Sequence, residues 1–157
     1  MADHKNNPAW NNRAIRFSRV LLVVFYGVGV AGMALSFTRP LFTALIPFAL
    51  LLSMGILLFF QPRLKEGTTL GIFLVIYLAG FLVEMMGTNT GEIFGKYLYG
   101  SGLGPKIFNT PLMIGINWLM LSLAFTDLVA RSGIKGWAGV PVAAAGMVVY
   151  DLVLEQV

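Results

Sequence analysis

A chain of 157 residues that is 57% hydrophobic and only 11% charged, with mean hydropathy +0.80, falls outside the composition of water-soluble domains, where roughly 25% of residues are charged. Cysteine is absent, which excludes a disulfide framework, a thiolate metal site and a lipidated cysteine anchor. The net charge of +4 is spread over tails and loops rather than concentrated in one stretch, so it does not point to nucleic acid.

Residues 1–18 (MADHKNNPAWNNRAIRFS) form a polar, basic leader. Trp10, Arg13, Arg16 and Phe17 suit a tail anchored at the membrane interface. The long polar lead and the absence of a small-residue cleavage site argue against a cleaved signal peptide. From residue 19 on, charge-free runs at 20–38, 40–62, 67–83, 107–126 and 136–150 approach or exceed the ~20 apolar residues that carry a helix across a bilayer. The expected fold is all-α, a polytopic transmembrane bundle of about five spans at 19–37, 41–60, 68–86, 111–130 and 137–157, forming one domain over 19–157. Short connections at 38–40, 61–67 and 131–136 make sequential helices antiparallel neighbours.

The exception is the long connection at 87–110. It holds six glycines (87, 91, 95, 100, 102 and 104) together with Ile93, Phe94, Tyr97, Tyr99, Leu103 and Phe108. A flexible linker would carry serines and charges instead. Ile93, Phe94, Tyr97 and Leu98 follow helical spacing, and Glu92 and Lys96 stand four apart, so a short interfacial helix is expected within this loop. The glycine spacing at 100, 102 and 104 is not a nucleotide-binding loop, because no strand precedes it.

Charge also orients the chain. Lys5, Arg13, Arg16, Arg19, Arg63, Lys65, Arg131 and Lys135 fall on one side of the expected spans, against Arg39, Lys96 and Lys106 on the other. The positive-inside rule then places the N-terminus in the cytoplasm and the 87–110 loop outside. Acidic residues within spans are costly and mark sites or pathways. The same topology brings Glu84, Glu92, Asn117, Asp151 and Glu155 to one level at the outer side. Asp127 lies at the opposite end, four residues from Arg131, where a helix-end ion pair accounts for it. No histidine lies in a span and no Glu-x-x-His pair exists, so no metal is expected.

Residues 84–118, EMMGTNTGEIFGKYLYGSGLGPKIFNTPLMIGINW, combine a glutamate ending a helix, G-T-N-T-G, F-G-x-Y-x-Y, L-G-P and P-L-x-I-x-x-N-W. With the later D-L-V-L-E at 151–155, this run resembles the carotenoid 1′,2′-hydratase family of membrane proteins, over residues 70–157. The resemblance implies addition of water across the terminal double bond of a linear carotenoid end group, with no cofactor. It also implies a longer relative, since members of that family continue for one or two spans beyond the D-x-x-x-E helix. Chemistry read from the residues agrees with it. Hydrating an unactivated trisubstituted alkene needs a strong acid, and a carboxylic acid held in an apolar pocket is a suitable donor. A second carboxylate orients or deprotonates water, and aromatic faces stabilise the cation.

Glu84 and Asp151 are the leading proton-donor and water-orienting candidates, supported by Glu155 and Glu92. Asn89, Phe94, Tyr97, Tyr99, Asn117, Trp118 and Tyr150 are the candidate substrate contacts. The expected partners are the linear carotenoid within the bilayer, membrane lipids, and other carotenoid enzymes or a second copy of the chain. Three alternatives stay open: a small membrane-type lycopene cyclase, a proton-coupled transporter and a non-catalytic lipid-binding protein.

Overall fold

The computed structural model describes residues 12–61, 64–92, 97–134 and 136–154, the last four by their backbone alone. Among the described residues it is an all-α bundle of six α-helices with one small hairpin: α1 (Asn12–Ala34), α2 (Arg39–Ala44), α3 (Ile46–Phe59), α4 (Gly67–Thr90), α5 (Met113–Arg131) and α6 (Gly139–Leu154). Three of these, α1, α4 and α5, are long and apolar enough to cross a membrane, and α3 and α6 are shorter apolar helices.

The chain buries little. Among the described residues, Met54, Phe81, Ile114, Leu119 and Val129 are the buried large apolar side chains of the helices, whereas Val23 is 74% exposed and Val75 65%. A soluble protein does not tolerate apolar surface on that scale. In a bilayer lipid covers it, and helices associate through close packing at small residues instead. That is the packing seen. Gly80 of α4 lies against Trp118 of α5, and Gly115 against the Tyr77 ring. Gly146 of α6 lies against Phe125 of α5, and Gly32 of α1 against Phe42 of α2.

The helix boundaries depart from expectation in three places, each for a local reason. α1 is helical from Asn12, the first described residue and well inside the leader, since neither Gly nor Pro interrupts residues 12–26 and the basic turns simply continue into the apolar ones. Trp10 lies outside the described residues.

The second expected span is broken at Leu45 into α2 and α3, with Pro47 in the first turn of α3. Proline lacks the N–H that would bond the carbonyl four residues back, and its ring crowds that carbonyl. α4 runs four residues beyond its expected end, through Gly87. Asn89 Nδ2 donates to the Met85 carbonyl (2.7 Å) and Thr90 Oγ1 to that of Met86 (2.8 Å). The stop is Gly91, whose φ of 70° forms the left-handed cap.

The segment between α4 and α5 also differs. Residues 93–96, and with them Phe94 and the Glu92–Lys96 spacing, lie outside the described residues. Tyr97 to Gly100 carry no helix. A 3₁₀ turn at Ser101–Leu103 follows, then β1 (Lys106–Ile107) paired antiparallel with β2 (Thr110–Pro111).

This segment folds back onto the helices. A Cβ on Gly102 would lie 2.7 Å from Thr43 Cγ2, so the turn seats at the α2–α3 break. Thr110 and Pro111 are fully buried. The absent hydrogen-bond partner at Pro47 opens α2–α3, and the glycine turn occupies the opening.

Candidate active site

Glu84 faces inward from the last third of α4 and is 6% exposed. Its Oε1 accepts hydrogen bonds from the hydroxyls of both Tyr97 and Tyr99. Its Oε2 accepts from the indole Nε1 of Trp118 at 3.4 Å. Thr88, one turn beyond Glu84, donates to the Tyr97 hydroxyl at 3.4 Å. The carboxyl is thus held by two phenols from the irregular segment and one indole from α5. The two tyrosine rings meet edge to face, with centroids 5.3 Å apart. Burial, and then the adjacent Glu84 carboxyl, pushes both phenols above their ordinary value of 10.0. Both therefore remain O–H donors across the neutral range.

The local sequence explains the convergence. α4 and α5 approach closely at this level because Gly80 admits Trp118: a Cβ at Gly80 would lie 2.5 Å from the tryptophan Cβ. Trp118 is thereby set one turn from Glu84. The tyrosines arrive from outside the helices, on an irregular stretch whose following turn is anchored at the α2–α3 break.

Of the other candidates from the sequence, Asn89 lies beside the hairpin. Its Nδ2 donates to the Phe108 carbonyl at 2.7 Å, and its Oδ1 accepts from Asn109 Nδ2 at 3.3 Å. Glu92 is exposed just past the α4 cap, with its backbone N–H on Thr90 Oγ1. Asn117 is half-buried on α5 next to Trp118. Tyr150 on α6 is 42% exposed and meets Phe125 edge to face at 6.2 Å. α6 packs on α5, and α5 on α4 and α3. The side chain of Asp151, and Glu155 altogether, lie outside the described residues. Asp127 and Arg131 form the helix-end pair their spacing predicts, at 2.6 Å on an exposed face.

Two contributions were not legible in advance. Thr88 carries no signal beyond its place one turn after Glu84. The hairpin is written as Phe108-Asn109 rather than Asn-Gly, so the usual turn signature is missing. Two apolar grooves, of about 530 Å³ between α1 and α2–α3 and about 590 Å³ between α5 and α6, lie apart from Glu84.

Compared with known families, residues 42–157 match the model of a family described as carotenoid biosynthesis protein. No curated protein and no solved structure matches the chain.

Proposed function

The chain belongs to the carotenoid biosynthesis protein family, and we propose that within that pathway it hydrates the terminal double bond of a linear carotenoid end group by acid catalysis. The observation that carries this reading is the Glu84 carboxyl, buried in an apolar bundle and gripped by Tyr97, Tyr99 and Trp118.

Glu84 delivers a proton to the less substituted alkene carbon, the double bond supplies the electron pair, and a tertiary carbocation forms on the neighbouring carbon. The aromatic faces of Tyr97, Tyr99 and Trp118 favour that cation through their ring quadrupoles. A water oxygen adds to the cation and loses a proton to a second carboxylate, and passage of that proton to the Glu84 carboxylate restores both groups. The net change is addition of one water. Asp151 is the leading candidate for that second group, with Glu92 and Glu155 supporting. Asn117 and Tyr150 are candidate contacts with the end group, and the polyene itself lies in the lipid.

Expression in a host that accumulates linear carotenoids tests the proposal. The expected product is heavier by one water and more polar on reversed-phase chromatography. A cyclised isomer of unchanged mass, or no new product from a membrane-inserted protein, would overturn it.

A further inference from the structure

We propose that Asn89 is a positioning residue, whose side-chain amide holds the Phe108–Asn109 turn in a left-handed conformation and thereby keeps Tyr97 and Tyr99 on Glu84. This rests on the reading of Glu84 as the reacting acid, although the clamp itself is defined by geometry alone.

The turn joins β1 to β2 with two residues, and both have positive φ: 46° at Phe108 and 65° at Asn109. That is the pattern of a type I′ turn, which normally calls on Asn-Gly or Gly-Gly. Phenylalanine is a poor occupant, since a bulky residue at positive φ is a true outlier. Such a conformation persists only where its surroundings over-determine it. Asn89 Nδ2 donates to the Phe108 carbonyl, Asn89 Oδ1 accepts from Asn109, and Thr110 Oγ1 donates to the same Phe108 carbonyl at 3.4 Å. Each polar atom of the Asn89 amide is therefore engaged, the second donor direction being the Met85 carbonyl.

The hairpin is in turn coupled to the tyrosines. The Lys106 ammonium of β1 donates to the Tyr99 backbone carbonyl, and the Leu112 N–H bonds the Pro105 carbonyl at 3.0 Å, closing the base of the hairpin. Asn89 stands five residues after Glu84, a little over one helical turn along α4. One rigid helix end thus carries both the carboxyl and the clamp for the segment that brings its donors.

The test compares the full chain, Asn89→Ala, and Asn89→Ala combined with Phe108→Asn and Asn109→Gly, in detergent. Nitration of tyrosine by tetranitromethane is read residue by residue by mass spectrometry. Loss of one or two net hydrogen bonds raises an open population roughly 5- to 30-fold. Nitration of Tyr97 and Tyr99 should rise by that order in Asn89→Ala, while Tyr77, bonded to the Leu112 carbonyl, stays as in the parent. The Asn-Gly turn adopts the required geometry without help, so the triple variant should regain protection. Unchanged protection in Asn89→Ala, equal exposure of Tyr77, or no rescue by Asn-Gly would each overturn the clamp.

Carotenoid turnover, measured in parallel, separates the two proposals. With the clamp intact by nitration but no hydration by the parent chain, the proposed function fails and the positioning role stands. With hydration present, Asn89→Ala should lower kcat more than it raises KM, and the Asn-Gly turn should restore kcat.

Discussion

Replacing Glu84 by Gln keeps the shape and hydrogen-bonding capacity of the side chain but removes the proton it would deliver. An amide oxygen in the Oε1 position still accepts from both tyrosines and only the longer Trp118 bond is lost, so the bundle should assemble. Loss of general acid catalysis typically costs 10²–10⁴-fold, and hydration by Glu84→Gln should fall by about that factor with protein still in the membrane. Asp151→Asn should behave alike if Asp151 is the water-orienting group. Asp127→Asn removes a pair whose side chains are 75% and 62% exposed; such pairs contribute roughly 0–1 kcal/mol, and product formation should be unchanged. Normal hydration by both acid variants would remove the catalytic assignment. The tyrosines offer a second measurement, by absorbance at alkaline pH. Their folded values lie above the ordinary 10.0, so the stability linked to them is fully present below pH 10 and declines as pH rises beyond it. The parent should show phenols that ionise later than free tyrosine, and Tyr97→Phe with Tyr99→Phe should abolish that late component.

Helix contacts here are set by glycines facing rings, which gives a sharp contrast between positions. Gly80→Ala would force a Cβ to within 2.5 Å of Trp118 Cβ, an atom fixed to the α5 backbone. Overpacking of this kind costs about 1–3 kcal/mol, and thermal unfolding in detergent should show it. Gly27→Ala meets nothing within 4 Å and should be neutral or slightly stabilising, since alanine is the better helix former. Equal behaviour of the two variants would contradict the packing described. The same contrast explains what a linear reading recovers. The apolar runs locate the helices because lipid imposes them directly. The importance of Glu84 is visible too, since a carboxylate ending an apolar run stands out. The break at Leu45 was equally present as Pro47, but an apolar run hides a proline that hydropathy does not penalise. The end of α4 was misplaced because Gly87 reads as a stop, whereas the cap belongs to Gly91, the residue with positive φ. The hairpin was hidden because its turn conformation is held by Asn89, 19 residues earlier than Phe108, and no local signature records a remote clamp.

Orientation in the membrane follows from lengths and charge taken together. At 1.5 Å per residue, α1 is about 35 Å long and α4 about 36 Å, each enough for a hydrocarbon core of ~30 Å. α3 alone, with 14 residues, reaches only about 21 Å, and α2 adds about 9 Å. The chain between α1 and α4 therefore crosses only if both pieces on either side of the Leu45 break are used. The positive-inside rule predicts that it does: Arg13, Arg16 and Arg19 lie in the N-terminal turns of α1, Lys65 precedes α4 and Arg131 ends α5, whereas Arg39 and Lys106 stand at the alternate ends. Under that rule a crossing by α2–α3 would put Lys65 with the N-terminal arginines in the cytoplasm and carry Glu84, Tyr97 and Tyr99 to the outer half of the bilayer. A re-entrant α2–α3 would reverse α4 and place the same site at the cytoplasmic side. Reporter fusions after residue 65 and within 100–104 decide between them. The expected result is a cytoplasmic reporter active after residue 65 and silent within 100–104. An active cytoplasmic reporter in the hairpin segment would mean that the break at Leu45 turns the chain back rather than letting it through.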